Sequence, residues 1–452
     1  MIGNITRRRF LRTAVGATAA LGALRAQGQR AAGRPNVLFI LADDLGYGDL
    51  SCYGRPDYET PVLDRLATQG MKFMSAYAAA PVCTPTRCAF VTGRYPQRLE
   101  VGLQEPLALR SPEVGIPADH PTVASLLRDS GYETALIGKW HLGWRPEFGP
   151  NRLGFDEFFG SLSGALDYFT HVAPDAGRAP GAAALPDLWE NTTRLEREGY
   201  LTDLYTERAV EFIARPHDKP FYLSLHYTAP HSPWEGPADA GVDHDDHGVG
   251  PMIAGGSLDA YAAMMQSMDA GIGRVLAALR RARLERNTLV IFTSDNGGER
   301  YSYHWPFSFE KLYLWEGGIR VPAIVRWPGV VPANRVTEQA AITMDWTATI
   351  LGVAGAQADP AAPLDGEDLL PICTGERAEY QRELFWRTQT RAAARLGDWK
   401  YVNEAGTEHL YDLTADLGEK TDLRTKRPDI FERVRSRYQE WAAQMLPRPT
   451  PV

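Results

Sequence analysis

The chain has 452 residues, which is long enough for one large hydrophobic core with a smaller domain attached to it. Its content of apolar, charged, glycine and proline residues is that of an ordinary globular protein, which excludes the disordered and fibrous classes. A net charge of −8 argues against a general nucleic-acid-binding protein, and no apolar run approaches the roughly 20 residues that span a bilayer.

Residues 1–34 have the features of an export signal and a linker rather than of a folded domain. A basic stretch precedes a short Ala/Leu-rich segment, and an Ala-Leu-Arg-Ala sequence that suits cleavage follows it. Residues 6–12, TRRRFLR, resemble a twin-arginine export signal. We therefore expect the twin-arginine translocase as a transient partner and a periplasmic or secreted location. A mitochondrial transit peptide is the alternative, because the segment is rich in arginine and lacks acidic residues.

After residue 34, short apolar runs typical of buried strands alternate with segments of helical periodicity. Strands are predicted in NVLFILADD, YETALIGKWHLG, PFYLSLHYTAPH and NTLVIFTSDNGG, and helices in TPVLDRLATQG, HPTVASLLRDSG and LDAYAAMMQSMDAGIGRVLAALRRARL. This alternation predicts an α/β fold in which helices cover both faces of a sheet. The Gly/Pro/Ala-rich stretches HVAPDAGRAPGAAALPDL and GPADAGVDHDDHGVGPMIAGG are predicted loops.

The segment GAQADPAAPLDG is predicted to lead into a smaller C-terminal subdomain. That subdomain contains three short predicted strands, in ELFWRTQT, RLGDWKYVN and EHLYDLT, and a closing helix near PDIFERVRSRYQEWAAQM. We predict a main domain over residues 35–365 and a C-terminal α+β subdomain over residues 366–452.

Polar side chains stand at the C-terminal ends of the four strands predicted in the main domain. In chain order they are Asp43 and Asp44, Lys139 and His141, His231, and Asp295 with Asn296. Ligands of open α/β sheets bind outside the carboxyl ends of the strands. If the strands are parallel neighbours, these residues converge on one site.

Three carboxylates and one amide form an all-oxygen ligand set, which suits Ca²⁺ or Mg²⁺ better than zinc. A single Asp-Asp pair would more simply cap a helix or form a turn, but two such polar pairs, Asp43–Asp44 and Asp295–Asn296, each following a buried strand, favour a metal site. Lys139, His141, His231 and Arg87 add cationic or titratable groups to the same neighbourhood. A metal among such groups suits a substrate with a compact anion, such as sulfate or phosphate.

The segment PVCTPTRCAF places Cys83 at or just before the N-terminus of a predicted helix that continues until Gly93. Backbone N–H groups and the helix dipole favour an anion there, and Arg87 lies one turn further on. The chain's four cysteines form neither a disulfide framework nor a Cys-x-x-Cys pair. On these grounds a reactive Cys83 and a buried structural Cys83 both remain open.

These residues resemble the sulfatase family, within the alkaline-phosphatase-like superfamily. The family signature Cys-x-Pro-x-Arg, followed by Thr-Gly-Arg, stands here at residues 83–87 and 92–94. Further similar segments are NVLFILADDLGYGDLSCYG, GKWHLG, GFDEFFGSLSG, TAPHSPWEG, TSDNGGE and WEGGIRVPAIVRWPG. The resemblance implies a large central, mostly parallel mixed sheet flanked by helices, with an antiparallel sheet in the C-terminal subdomain.

The resemblance also implies that a formylglycine-generating enzyme converts Cys83 to formylglycine (3-oxoalanine). One hydroxyl of the hydrated aldehyde would attack sulfur, and the second would later help to expel sulfate. One Ca²⁺ would be held by the modified residue and four side chains, namely Asp43, Asp44, Asp295 and Asn296.

The same resemblance implies the other roles in catalysis. Arg87 would orient the aldehyde hydrate, and His141 would help to deprotonate it. Lys139 and Lys311 would contact the sulfate oxygens, and His231 would protonate the leaving alcohol.

Several positions fit this pattern less closely. Lys311, in FEKLYLWEGG, lacks the glycine that usually stands beside the family's lysine. His226 occupies a position where the family varies, and it is predicted to line the site without taking part in the chemistry. Tyr303, His304 and Trp305 are predicted to line the pocket for the organic part of the substrate. The loop GVDHDDHGVG suggests a second metal site, but a solvated loop is the favoured interpretation, since no buried strand precedes it.

The predicted function is hydrolysis of aryl or carbohydrate sulfate monoesters. One alternative is a phosphonate monoester or phosphodiester hydrolase that uses the same formylglycine. Another is a non-catalytic, exported carbohydrate-binding protein, although such a protein would need no precursor cysteine at position 83.

Overall fold

The computed structural model describes residues 33–108, 111, 113–173, 186–241 and 256–449. Within these ranges, no helix combines the length and the apolar character needed to cross a bilayer. The predicted export signal, apart from its last two residues, lies outside the described residues, as do nearly all of the GVDHDDHGVG loop and most of the loop at 171–188.

The strands in the described residues are β1 (Asn36–Ala42), β2 (Met71–Phe73), β3 (Ala76–Tyr77), β4 (Glu133–Lys139), β5 (Glu157–Ser161), β6 (Leu188–Glu190), β7 (Thr193–Leu195), β8 (Phe221–His226), β9 (Thr288–Ser294), β10 (Ala323–Arg326), β11 (Arg335–Thr337), β12 (Ala341–Ile342), β13 (Glu383–Arg387), β14 (Arg391–Leu396), β15 (Trp399–Glu404) and β16 (Thr407–Asp412). The helices in the same residues are α1 (Pro61–Thr68), α2 (Cys83–Thr92), α3 (Val123–Asp129), α4 (Leu201–Ala214), α5 (Leu258–Arg281), α6 (Glu316–Ile319), α7 (Thr343–Ala354), α8 (Leu370–Thr374) and α9 (Pro428–Ala442).

A ten-stranded mixed sheet runs through the main part of the described chain, in the order β11-β2-β10-β9-β1-β8-β4-β5-β6-β7. Its five central strands, β9-β1-β8-β4-β5, are mutually parallel. Antiparallel pairs join β10 to β9 and to β2, and β6 to β5 and to β7. The predicted α/β fold with a mostly parallel central sheet is therefore confirmed.

The central strands are apolar along their whole length because both faces of the sheet are covered. In β1 every residue is buried; Leu38 and Ile40 pack into one core, and Val37 and Phe39 pack into the other. Side chains of α1, α4 and α5 belong to the first core, and those of α2, α3 and α7 belong to the second. This arrangement leaves the carboxyl ends of the strands as the edge where polar side chains can meet.

Helix α2 begins at Cys83, directly after the extended residue Val82. It ends at Gly93, whose φ of +68° is a left-handed conformation that favours glycine. The helix predicted from the cysteine to the glycine is thus present, and all of its residues are buried.

The C-terminal sheet is antiparallel, in the order β13-β14-β15-β16. Only three of these four strands were expected, because the segment RAAARL that forms β14 is rich in alanine, a residue with low strand propensity. Ala392, Ala393 and Ala394 are buried in the same core as Val434 and Trp441 of helix α9. Tertiary packing therefore outweighs the local preference of this segment.

A buried charge cluster connects helix α6 to the C-terminal sheet. The Lys400 ammonium, on β15, lies 2.8 Å from an oxygen of Glu316 and 2.7 Å from an oxygen of Glu419. Glu419 also accepts a hydrogen bond from the Glu316 backbone N–H at 2.6 Å. Helix α6, which follows Lys311 closely in the chain, is thereby fixed to the C-terminal sheet.

Candidate active site

The residues predicted to form the site lie together in the structure, at the carboxyl ends of β1, β4 and β9, after β8, on α2, and in the segment before α6. All are buried, and Lys311, at 8 % relative exposure, is the most exposed. They are Asp43, Asp44, Cys83, Arg87, Lys139, His141, His231, Asp295, Asn296 and Lys311.

Arg87 connects the strand ends to one another. Its Nε and Nη2 atoms lie 3.0 Å and 2.9 Å from Oδ2 of Asp295, and its Nη2 lies 3.4 Å from Oδ1 of Asp43. Its Nη1 donates to the backbone carbonyl oxygen of Lys139 at 3.0 Å. The Lys139 ammonium in turn lies 2.5 Å from Oδ2 of Asp43. One guanidinium therefore contacts groups from three strand ends.

Asp44 occupies the centre of a second set of contacts. Its backbone N–H donates to Oδ1 of Asp295 at 3.2 Å, and Asn296 Nδ2 donates to its Oδ1 at 2.7 Å. Oδ2 lies 2.7 Å from the Lys311 ammonium. Burial alone would raise the pKa of Asp44, but the charges of Lys311, His231 and Lys139 lower it below the usual range. Asp44 is therefore ionised.

The donor set fits a hard divalent cation. Oδ1 of Asp43 and Oδ1 of Asn296 are buried without a hydrogen-bond partner among the described residues, and such atoms are costly unless a ligand satisfies them. Burial and the neighbouring Asp43 raise the pKa of Asp295, a crowding of negative charge that a cation would relieve. Asp43, Asp44 and His231 also offer ligand atoms within 4.8 Å of one another. We favour the oxygen donors because hard cations prefer them.

The charges of the cluster suit an anionic substrate. Arg87, Lys139 and Lys311 face the three aspartates and Glu299, which lies 2.9 Å from Lys311, so a bound divalent cation would turn a net charge of about −1 into an excess of one positive charge. In a buried site with low dielectric, that excess would favour a compact anion.

His141 is oriented as a proton acceptor toward residue 83. Its Nε2 lies 3.0 Å from the carbonyl oxygen of Leu107, which can only accept, so Nε2 carries the proton. Its Nδ1 lies 3.2 Å from the Cys83 sulfur and therefore presents a lone pair to it. Burial and the nearby Lys139 hold the pKa of His141 well below its usual range, so the ring is neutral.

The ring of His231 is held through Nδ1, whereas the ring of His141 is held through Nε2. Its Nδ1 lies 2.5 Å from the Ser232 carbonyl oxygen, which only accepts, so Nδ1 carries the proton and Nε2 of the neutral ring presents a lone pair. Nε2 lies 3.5 Å from Oδ2 of Asp44 and 3.5 Å from the Lys311 ammonium. Burial, reinforced by the charge of Lys311 and opposed by that of Asp44, lowers the pKa of His231 to about 4.

Two further residues lie near the cluster: Glu299, which was not assigned a role from the sequence, and His226, which was predicted to line the site. The Glu299 carboxylate lies 2.9 Å from the Lys311 ammonium and is partly exposed. The sequence indicated it only as a charged residue three positions after Asn296. His226 is buried against Arg87 and the Lys139 carbonyl group, and burial with the charge of Arg87 holds its pKa well below the usual range.

Tyr303 and Trp305, which were expected to line the substrate pocket, line a cavity of about 890 Å³ beside the C-terminal sheet. None of the residues of the cluster lines this cavity, and neither does His304. The Lys311 position, in contrast, joins the cluster as expected, although the usual neighbouring glycine is missing.

The chain is similar to known proteins over most of its length. Residues 35–356 match the family model described as Sulfatase, and residues 303–442 match one described as N-sulphoglucosamine sulphohydrolase, C-terminal. The N-acetylgalactosamine-6-sulfatase of Canis lupus familiaris is 36 % identical over 403 residues, which cover 83 % of this chain and 74 % of that protein. Arylsulfatase J of Mus musculus is 31 % identical over an alignment of 492 positions, which covers 94 % of this chain and 80 % of that protein. The crystal structure of Ps i-CgsB in complex with k-i-k-neocarrahexaose has a TM-score of 0.82 and 31 % identity, and the match covers 92 % of this chain and 94 % of that one.

Proposed function

Because this chain belongs to the sulfatase family and is an enzyme that hydrolyses sulfate esters, we propose that it does so through a formylglycine formed from Cys83 and one Ca²⁺. The observation that carries this proposal is the unprotonated Nδ1 of His141, which faces the side chain of residue 83 at 3.2 Å beside the aspartate cluster. A base that faces this side chain suits a residue that must lose a hydroxyl proton.

The state of the Cys83 thiol supports a precursor role. Burial, with a contribution from Asp43, raises the pKa of the thiol to about 11, although Lys139 opposes this effect. The thiol is therefore protonated at neutral pH, and a protonated thiol is a poor nucleophile. Unmodified Cys83 would be inert at the position where the other groups converge.

The hydrated formylglycine would supply a hydroxyl nucleophile. Bound Ca²⁺ would supply a Lewis acid for that hydroxyl and for a sulfate oxygen. Asp43, Asp44, Asp295 and Asn296 would hold the cation together with residue 83. His141 would accept the hydroxyl proton at Nδ1, with its ring fixed by the Leu107 carbonyl group.

The remaining side chains would act on the sulfate group and the leaving alcohol. Lys139 contacts Asp43 through one N–H group and retains further N–H donors for sulfate oxygens. The Lys311 ammonium faces Asp44, Glu299 and Nε2 of His231, so a sulfate oxygen would replace one of these contacts, of which the 3.5 Å contact with His231 is the longest. His231 would deliver a proton from Nε2 to the leaving oxygen. The negative charge of a bound sulfate ester would raise the pKa of His231 from its low value and so favour the protonated ring.

We propose a sulfated sugar as the natural substrate and a small aryl sulfate as a convenient test substrate. The names of the relatives support both classes, and the similar crystal structure contains a hexasaccharide. The same cluster would accept a phosphonate or a phosphodiester, so matched esters must be compared directly.

The proposal is tested with protein produced together with a formylglycine-generating enzyme. The mass of the peptide that contains Cys83 should show the aldehyde, and rates on 4-nitrophenyl sulfate and sulfated mono- and disaccharides should exceed those on 4-nitrophenyl phosphate and a phenyl phosphonate ester. Failure of fully modified protein to hydrolyse any sulfate ester would contradict the proposal. A free thiol in protein from the native host would favour the carbohydrate-binding alternative.

We also propose export by the twin-arginine route to the periplasm or the exterior, on the basis of TRRRFLR in residues 6–12. This route carries folded proteins, so the formylglycine-generating enzyme would act in the cytoplasm before export. Fractionation of the native host and sequencing of the mature N-terminus test this proposal. A cytoplasmic protein that retains residues 1–26 would contradict it.

Removal of the metal should reversibly destabilise and inactivate the protein. Ca²⁺ at about 100 times its dissociation constant should stabilise the folded state by about 2.7 kcal/mol, measured as a rise in melting temperature after chelation and re-addition. Asp44→Asn should abolish this rise, because it removes a ligand charge. Asp269→Asn is the matched control, since this buried carboxylate binds the backbone N–H groups of Val62 and Leu63 away from the site. An equal rise in both variants would show that Ca²⁺ binds elsewhere.

A further inference from the structure

His226 ends β8 and reaches across to the neighbouring strand end. Its ring is 1 % exposed, with Nδ1 3.1 Å from the Lys139 carbonyl oxygen and Nε2 2.8 Å from the Ser224 hydroxyl. Arg87 Nη1 donates to the same carbonyl oxygen at 3.0 Å and lies 3.4 Å from Nδ1 of His226. One backbone carbonyl group thus faces two side-chain donors.

The neighbours determine which ring nitrogen carries the proton. A carbonyl oxygen only accepts hydrogen bonds, so Nδ1 of His226 carries the proton and donates to Lys139. The Tyr222 hydroxyl donates to Ser224 at 3.1 Å, and the Ser224 hydroxyl is then free to donate to Nε2. The ring is therefore a neutral donor, and both lone pairs of the Lys139 carbonyl oxygen are satisfied.

The backbone at this point is unusually close-packed. Gly138 pairs with His226 across β4 and β8 and has a φ of +115°, a conformation that favours glycine. A Cβ atom at Gly138 would clash with the His226 carbonyl oxygen. These contacts restrict the backbone at Gly138. The Lys139–Trp140 peptide group that follows carries the Lys139 carbonyl, and the hydrogen bonds from Arg87 and His226 hold it.

We propose that His226 is a positioning residue for sulfate ester hydrolysis. Its Nδ1–H group fixes the Lys139 carbonyl, and this carbonyl in turn fixes both the Arg87 guanidinium and the start of the Lys139 side chain. Arg87 and Lys139 are the two cations that contact Asp43, so a rotation of this peptide would displace both from the reacting groups. This inference depends on the proposed function for the roles of Arg87 and Lys139.

Asparagine and glutamine at position 226 separate positioning from packing. The amide nitrogen of asparagine can take the place of Nδ1, whereas that of glutamine can take the place of Nε2. We expect His226→Asn to retain most of the activity and His226→Gln to lose about 10- to 100-fold in kcat, the range typical of residues that orient catalytic groups. The loss should fall on kcat more than on KM, because charge on the sulfate group develops in the transition state.

Tyr222→Phe is the control. It removes the hydroxyl that donates to Ser224 and leaves the contact between Nδ1 of His226 and the Lys139 carbonyl oxygen in place. Melting temperature and the formylglycine content are measured for every variant, and rates are expressed per modified molecule. Equal losses in the asparagine and glutamine variants, or losses that follow melting temperature alone, would overturn the inference.

The affinity for inorganic sulfate, measured by calorimetry, makes the comparison independent of turnover. Weaker sulfate binding in the glutamine variant than in the asparagine variant is the expected result, and equal affinities would count against positioning. A wild-type protein without sulfate ester hydrolysis would overturn the proposed function instead, and the two failures are thereby distinguished.

Discussion

Cys83→Ala should reduce turnover of every sulfate ester by about 10⁴-fold or more while the protein remains folded. In the proposed mechanism residue 83 supplies the covalent nucleophile, and its loss removes a step that the other residues cannot replace. The cost in folding free energy should be only about 1 kcal/mol, because a single buried sulfur atom is removed. Initial rates and thermal melting of the same preparations measure both quantities.

Cys88→Ala is the matched control for this substitution. Cys88 lies on the same helix, is equally buried and packs in a hydrophobic core without contacting the polar cluster. We expect a similar small loss of stability with unchanged turnover per modified molecule. A collapse of melting temperature in Cys83→Ala alone would identify Cys83 as a structural residue and contradict its role as the precursor of the nucleophile.

Arg87→Lys should lower kcat/KM by about 10²- to 10³-fold, comparable to the loss of a donor that stabilises charge in a transition state. A lysine ammonium keeps the charge but cannot contact the Asp295 carboxylate and the Lys139 carbonyl in the same fork geometry. Steady-state kinetics are combined with peptide mass, because the substitution also changes the segment that the proposed formylglycine-generating enzyme would read.

Arg382→Lys controls for the general cost of replacing a buried arginine. Arg382 forms a bidentate ion pair with Asp345, outside the polar cluster, and is buried, as Arg87 is. Both variants should lose stability, but only Arg87→Lys should lose activity per modified molecule. If kcat/KM of the modified Arg87→Lys enzyme stays within about two-fold of the wild type, a role for the guanidinium in the reaction is excluded.

The sequence was sufficient for the position of the site because two simple patterns coincide. Continuous apolar runs indicated strands buried on both faces, and the acids or histidines that follow each run had to lie at one edge of a parallel sheet. The helix from Cys83 to Gly93 was also predictable from the sequence, since a proline in the first turn and a glycine after the last turn are local signals.

Other features depend on contacts that local sequence does not encode. Strand β14 was missed because its alanines gain stability from packing in one core with helix α9, not from strand propensity. The contact of His226 with the Lys139 carbonyl depends on the register of β4 against β8 and on the tautomer set by Ser224. The contact between Lys311 and Glu299 arises in an irregular segment, where no periodicity predicts which side chains meet.

The buried Glu316–Lys400–Glu419 cluster restricts how the two halves of this enzyme can be exchanged with those of relatives. A chimaera whose C-terminal sheet has no cation at position 400 would remove the contact between Lys400 and Glu316, and Arg320, 3.0 Å from the Glu316 carboxylate, would remain as its ion-pair partner. Since Glu316 lies only five positions after Lys311, loss of the Lys400 contact would loosen the segment that carries Lys311, a lysine of the proposed active site. We therefore expect a chimaera that keeps all three charged residues to be more stable than one that replaces Lys400 alone.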